Sequence, residues 1–154
     1  MKGIHIIITY RFCKSGLDNN YIIGGVYDMN SIDKINSIGW ADWVIDNFEI
    51  NYERISVRLC FYEEHVATIY CDNFIGFSFV GHWDESTIEY IKIEQKGEFI
   101  ADSLQTVKRF YSGPPYILGG GIKKIDDTWY QLNIKLIDGN TIKIACRDFE
   151  IEVQ

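Results

Sequence analysis

One strand-and-turn pattern occurs twice in this chain, and it constrains the fold more than any other feature of the sequence. Residues 55–77 show a strand, a turn, a second strand, a Cys-Asp-Asn-Phe segment and a third strand. Residues 132–153 follow the same order, with Cys-Arg-Asp-Phe at the equivalent point. Apolar residues alternate along these short runs, which is typical of half-buried antiparallel strands. The repeat therefore predicts two related three-stranded meanders, at roughly 53–80 and 129–153, in similar positions of one sheet or in facing sheets.

The register of the first meander can be predicted by matching apolar faces, because a slip of one residue moves every side chain to the other face. A turn at Glu63-Glu64 would pair Phe61 with Val66, and a turn at 72–73 would return the chain as a third strand beside the second. Together these turns would collect one apolar face from Val57, Leu59, Phe61, Val66, Tyr70, Ile75, Phe77 and Phe79.

The last hairpin has a different predicted loop. Three loop residues, 137–139, keep Leu132 and Ile134 opposite Ile144 and Ile142, and they place Gly139 at a left-handed position, where glycine is favoured. After Cys146 the apolar residues shift from even to odd positions. This shift predicts a bulge or corner near Arg147-Asp148.

Two helices are predicted beside the strands. Isoleucines recur every third residue behind Asn30 and Ser31, which indicates a short helix near 31–38. A single apolar stripe, ended by Gly113 and two prolines, indicates a main helix near 98–111 that packs on a sheet. A chain of 154 residues is one domain by its length. The prediction is a single α+β domain, residues 1–154, made mostly of antiparallel sheet.

Composition and charge limit the classes of partner. The net charge of −7 argues against nucleic acid, because phosphate binding needs clustered Lys and Arg, and it favours a basic protein or a cationic ligand. No apolar run reaches the roughly 18 residues of a membrane span, so we expect no membrane contact and a cytoplasmic location. The four cysteines lack framework spacing and are expected to be free, largely buried thiols. Oligomeric state does not follow from these features.

No sequence motif supports a catalytic nucleophile or a nucleotide cradle. Gly119–Gly121 has no Lys-Ser or Lys-Thr at P-loop spacing, and GxSxG and HExxH are absent. We therefore expect no catalytic residue and no cofactor. Residues 113–128 are interpreted as a long irregular loop.

A metal or acid–base site is one candidate for chemistry. The predicted register brings polar residues of two segments to one end of the sheet, where two imidazoles and nearby carboxylates are suitable ligands for a divalent metal or suitable partners in proton transfer. The alternative is a polar rim at a strand end. The residues of this candidate set are Glu63, His65, His82 and Asp84.

A protein-binding surface is the other candidate. Carboxylates adjoin large aromatic side chains in three segments, one of which has Asp42 and Asp46 beside Trp40 and Trp43. Aromatic anchors ringed by charge are typical of protein interfaces. The alternative is that the tryptophans belong to the core and the acids only solvate loop ends. The residues of this candidate surface are Trp83, Asp84, Glu85, Asp126, Asp127 and Trp129.

The segment Cys71-Asp72-Asn73-Phe74-Ile75-Gly76-Phe77, followed by Gly81-His82-Trp83-Asp84-Glu85 and Ser86-Thr87-Ile88-Glu89, resembles small proteins of Gram-positive bacteria. Some of these are immunity proteins of polymorphic toxin systems. The resemblance covers about residues 40–154 and transfers no functional residue. It implies a small, acidic, non-enzymatic α+β protein that blocks a toxin by covering its active surface.

Two functions from different classes follow as expectations. The first is a non-enzymatic binding protein, an immunity or antitoxin-like partner of a basic bacterial toxin. The second is a small-ligand binding or metal-assisted hydrolytic domain, with a pocket near Glu63, His65 and His82. A protein partner would favour the first, and a deep pocket lined by those side chains would favour the second.

Overall fold

The computed structural model describes residues 6–9, 30–62, 64–79, 85–111 and 128–154. Within these residues it contains nine strands and two helices. In chain order they are β1 (Ile6–Thr9), α1 (Ser31–Ser37), β2 (Val44–Ile50), β3 (Arg54–Phe61), β4 (His65–Asp72), β5 (Gly76–Ser78), β6 (Ile88–Glu94), α2 (Glu98–Tyr111), β7 (Tyr130–Leu136), β8 (Thr141–Cys146) and β9 (Asp148–Val153).

The strands form two antiparallel sheets, which confirms the predicted α+β class dominated by antiparallel sheet. A five-stranded sheet has the order β1-β2-β3-β4-β9, and a four-stranded sheet has the order β5-β8-β7-β6. Helix α2 packs on the outer side of the four-stranded sheet, against β5, β7 and β8. Helix α1 contacts β6 and β9, the last strand of each sheet, and so closes one side of the sandwich.

The main core lies between the two sheets. Burial alternates along β3 and β4, so one face of the five-stranded sheet is apolar, as expected for a half-covered antiparallel sheet. Strand β7 is buried on both faces, because α2 covers the outer side of the four-stranded sheet. Full burial of one aliphatic side chain contributes roughly 1.5–3 kcal/mol relative to its exposure. The largest fully buried side chains are Phe48, Ile35, Ile55, Leu59, Ile69, Ile88, Leu132, Ile134, Leu136, Ile142, Ile144 and Val57.

The repeat is present, but its third strands do not complete meanders. Strand β5 leaves β4 and pairs with β8, with Gly76 opposite Ala145. Strand β9 leaves β8 and pairs with β4, with Phe149 opposite Cys71. The prediction of two three-stranded meanders is therefore wrong in the pairing of the third strands. Each hairpin lies in one of two facing sheets and sends its last strand to the other, through a corner of the kind that lets strands switch sheets.

The predicted register of the first hairpin is wrong by one residue. Phe61 pairs with His65 and Leu59 pairs with Ala67, so three residues connect the strands instead of two. As a result Ala67 and Ile69 face the core, while Val66 is only partly buried. Tyr70 also lies on the outer side, where its hydroxyl group hydrogen-bonds to a neighbouring side chain. Between the sheets, a hydroxyl group without such a partner would destabilise the fold.

The register of the last hairpin is confirmed. Leu132 pairs with Ile144 and Ile134 pairs with Ile142. Gly139 has φ +94°, a conformation in which a side chain is strained. The corner predicted near Arg147 is also present, since β8 ends at Cys146 and β9 begins at Asp148 in the other sheet.

Both helices are confirmed where they were predicted. Asn30 caps α1, because its Oδ1 accepts a hydrogen bond from the Ile32 N–H at 2.9 Å. The indole N–H of Trp40 donates to the Ile35 carbonyl at 2.7 Å and fixes the end of α1 on the core. In the described part of the chain, neither helix is long and apolar enough to cross a membrane.

The cysteines differ in state. Cys71 and Cys146 are free and buried, as predicted, whereas Cys60 is disulfide-bonded, so the prediction of a free thiol is wrong there. Burial raises the pKa of the Cys146 thiol, and its contact with the Cys71 thiol raises it further. The Cys146 thiol therefore stays protonated and is not a nucleophile.

Candidate functional site

The outer side of the five-stranded sheet carries polar side chains, and no described helix or strand packs on it. We call this surface the open face. It arises because Ile55, Val57 and Leu59 on β3 point inward, so that the residues between them point outward. The outer side of the other sheet differs, since α2 covers it. The open face comprises Asn47, Glu49, Arg54, Ser56, Arg58, Thr68, Tyr70, Asp72, Asp148, Glu150 and Glu152.

Strand pairing arranges these side chains in rows across the sheet. One row runs through Glu49, Ser56, Tyr70 and Glu150, each directly opposite the next. Such cross-strand neighbours have Cβ atoms about 4.5–5.5 Å apart and interact directly. The rows border a shallow depression of about 220 Å³, lined by Asn47, Glu49, Ser56, Arg58, Thr68 and Tyr70.

Arg54 organises one end of the open face. Its Nε and Nη2 donate to Asp72 Oδ1 and Oδ2 at 2.6 and 2.8 Å, a bidentate pair. Its Nη2 also lies 3.5 Å from Glu150 Oε2, and its guanidinium lies 4.6 Å from the centre of the Tyr70 ring. The hydrogen bond to Asp72 raises the pKa of Arg54, so the group stays a cation, and the bidentate pair holds it in place.

Tyr70 is held at both ends. Arg54 lies over its ring, and its Oη donates to Glu152 Oε2 at 3.0 Å. The pKa of Tyr70 is raised mainly by this hydrogen bond and to a smaller extent by burial. The phenol therefore remains a neutral donor at physiological pH. An aromatic side chain fixed in this way loses little further conformational entropy when a partner covers it.

Negative charge is in excess on the open face and its edge. Arg58 pairs with Asp46 at 3.0 Å, and Arg54 pairs with Asp72. The Glu150 side chain is 57% exposed, and Glu49 makes no ion pair with a described residue. The guanidiniums are those of Arg54, Arg58 and Arg147, the last of which pairs with Asp148 at 2.8 Å, and the carboxylates are those of Asp46, Glu49, Asp72, Asp148, Glu150 and Glu152.

The structure places two of the residues predicted to bind a partner, and neither forms an exposed anchor. Trp129 is 6% exposed and packs against Ile100 and Ala145 beneath α2. Glu85 Oε1 accepts a hydrogen bond from the Thr87 N–H at 2.6 Å, which fixes the local turn. The other predicted residues, Trp83, Asp84, Asp126 and Asp127, lie outside the described residues.

Only one member of the predicted metal set is described. His65 is exposed at the start of β4, where its ring stacks 6.4 Å from that of Phe61. Glu63, His82 and Asp84 lie outside the described residues. Among the residues that the structure describes, no three His, Cys, Asp or Glu side chains are grouped to hold a metal ion. The distances among the four predicted metal ligands are therefore not defined by the described residues, and the proposed metal-assisted hydrolytic function has no structural support from them.

Sequence reasoning missed the open face, although part of it had a visible signal. From Asp148 to Val153 the chain alternates acidic and apolar residues, which is the pattern of a strand with one acidic, solvent-facing side. Arg54 and Tyr70 carried no such signal. They meet Glu150 and Glu152 only because β4 pairs with β9.

No protein-family model, curated protein or solved structure matches this chain. Function must therefore be inferred from the residues of the open face and from the sequence.

Proposed function

We propose that this chain is a non-enzymatic binding protein whose open face docks onto a basic protein surface. The proposal rests on one observation: the same side of the molecule is both uncovered by described elements and rich in carboxylates. The open face is not covered by any described element, and its carboxylates exceed its guanidiniums. A surface with these properties is complementary to one rich in Lys and Arg.

The electrostatics favour fast association with such a partner. A cluster of like charges raises the rate of encounter with an oppositely charged surface, and added salt weakens this effect. At physiological ionic strength the screening length is about 8 Å. Neighbouring carboxylates of the open face therefore act together on an approaching cation, whereas charges on the far side of the sandwich do not.

The side chains of the open face also suit a stable contact. Tyr and Arg are enriched where binding energy concentrates, and both are pre-ordered here by the Arg54–Tyr70–Glu152 network. Ser56, Thr68 and Asn47 add small hydrogen-bonding groups around the depression. Adaptable polar groups around a rigid aromatic are typical of recognition surfaces.

The partner we propose is a basic bacterial toxin, with this chain as its immunity-like inhibitor. The sequence resemblance to immunity proteins supports this choice, as do the net charge of −7 and the lack of a motif for a catalytic nucleophile. Inhibition would follow if the open face covered the cationic surface with which the toxin binds its own target.

Co-purification of the full chain from its native cells, followed by mass spectrometry, tests the proposal. A basic protein should be recovered, and its association rate constant should fall as salt is raised. The variant Glu49→Gln/Glu150→Gln/Glu152→Gln should bind it at least about tenfold more weakly. The control, Glu89→Gln/Glu98→Gln/Asp102→Asn, removes three exposed carboxylates from β6 and α2 and should bind normally. Equal losses in the two variants, or no basic partner, would contradict the proposal.

A further inference from the structure

Tyr62 occupies an unusual backbone position at the tip of the β3–β4 hairpin. Its φ is +47°, and the Glu64 N–H donates to the Phe61 carbonyl at 3.2 Å, closing a turn around it. Turns with positive φ at this position favour Gly, Asn or Asp. Asp42 and Asn73, the other described non-glycine residues with positive φ, are of types that tolerate it.

The Tyr62 side chain gains little from the fold in return. It is 74% exposed, so burial does not compensate for the strained backbone. Its ring packs edge-on against Phe61, with 4.5 Å between ring centres. Phe61 stacks on buried Trp43 at 5.5 Å. The exposed Tyr62 ring therefore packs on Phe61, which itself packs on the core residue Trp43. These contacts restrict the orientation of the Tyr62 ring.

We propose that Tyr62 is the aromatic anchor of the interface, and that it enters an apolar pocket on the basic partner while the open face lies on the cationic rim of that pocket. This inference rests on the proposed function. The location supports it, because Tyr62 lies at the tip of the hairpin whose strands β3 and β4 carry Ser56, Thr68 and Tyr70 on the open face. Its ring packs on Phe61, which faces the core, so Tyr62 borders the open face at the end of the sheet. A rigid, exposed tyrosine beside a charged polar surface is a common arrangement for a residue that dominates binding energy.

The turn requires positive φ at this position but does not require a tyrosine, and residues held in a strained backbone conformation are a known feature of functional positions. A tyrosine has only two side-chain torsions, so the entropy cost of fixing it on binding is small. Tyr52 is similarly exposed, at 71%, but it lies in the β2–β3 turn, which Asn51 orders through hydrogen bonds to two backbone N–H groups. Tyr62 therefore differs from Tyr52 in two ways: its backbone has positive φ, and its ring packs on another aromatic ring.

Site-specific photo-crosslinking in native cells tests the anchor. The full chain would carry p-benzoylphenylalanine in place of Tyr62, of Thr68 on the open face, or of Tyr90, which is 47% exposed on β6 of the other sheet. We expect Tyr62 and Thr68 positions to crosslink the same basic protein, identified by mass spectrometry, and the Tyr90 position to crosslink none. A crosslink from Thr68 without one from Tyr62 overturns the anchor and leaves the proposed function intact. Absence of crosslinks from both overturns both, and equal crosslinking from Tyr90 overturns the specificity of either site.

Affinity for the identified partner gives the second measurement. Tyr62→Gly keeps the turn conformation, since glycine adopts positive φ freely, and should weaken binding by about 30-fold or more. Tyr62→Phe keeps the ring and should change affinity by less than about threefold. Normal binding by Tyr62→Gly would overturn the inference.

Discussion

The side-chain amide of Asn73 donates a hydrogen bond to Asp148 Oδ2 at 3.1 Å. These residues lie in equivalent corners of the two repeats, one leading from β4 to β5 and the other from β8 to β9. The Arg147 N–H also donates to the Asp72 carbonyl at 3.3 Å. The corners therefore bind each other where the two chain segments exchange sheets. This contact holds the end of the open face, because Asp72 accepts the bidentate pair from Arg54.

The corner at Asn73 should tolerate glycine better than alanine. Asn73 has φ +54°, and alanine in the left-handed region costs roughly 1–2 kcal/mol. Both substitutions remove the hydrogen bond to Asp148, so their difference isolates the backbone term. We expect Asn73→Ala to lower the free energy of unfolding by about 1 kcal/mol more than Asn73→Gly, as measured by urea denaturation. The usual order, with alanine the more stable, would contradict the left-handed corner.

The register of β3 with β4 makes a second prediction. Ile69 is fully buried, whereas Val66 on the other face is only partly buried. Ile69→Ala should therefore lower the free energy of unfolding by about 2–5 kcal/mol, the range for large-to-small core changes. Val66→Ala, a smaller truncation at a site already partly exposed, should cost less than about 1.5 kcal/mol. The reverse order would support the register that pairs Phe61 with Val66.

Local signals predicted part of the fold, and long-range pairing decided the rest. Helix α2 has one apolar stripe and a Gly-Pro stop, and the last hairpin has Gly139 in its loop, so each could be read from a short window. Residues 66–71 instead have uncharged side chains on both faces, so hydrophobicity does not choose the face. The choice depends on β9, whose acidic side chains lie beside the outer face of β4.

The site was less predictable for the same physical reason. Arg54 and Asp72 lie opposite each other in the β3–β4 hairpin, but Glu150 joins them only because β9 pairs with β4. The alternation of acidic and apolar residues after Arg147 indicates a strand with one acidic side, but it does not indicate which strand lies beside it. Tryptophans next to acids suggested an interface, yet Trp129 lies beneath α2, because large aromatics usually contribute more energy when buried.

Tyr70 should make stability depend on alkaline pH. Its folded-state pKa is raised, first by the hydrogen bond to Glu152 and then by burial. An unfolded tyrosine has a pKa near 10, so the stabilisation is complete below about pH 10 and is lost as pH rises through the higher pKa of the folded state. We expect the difference in free energy of unfolding between the native chain and Tyr70→Phe to shrink from about pH 8 to about pH 11. A difference that stays constant would mean that the Tyr70 hydroxyl is not coupled to folding.

Gly76 should be required for α2 to pack closely on β5. A Cβ at this position would clash with Ser103 Oγ and would lie 2.9 Å from the Cβ of Ser103, closer than real contacts allow; it would also make a tight contact of 3.1 Å with the Phe99 ring. Gly76→Ala should therefore cost about 1–3 kcal/mol of unfolding free energy, the range for overpacked sites. Ser103→Gly alone should cost about 0.5 kcal/mol, since glycine has a lower helix propensity than serine. In the double variant the clash with Ser103 is relieved, so the combined cost should fall below the sum of the two, as a double-mutant cycle in urea would measure. Additive costs would show that Ser103 does not limit the approach of α2 to the sheet.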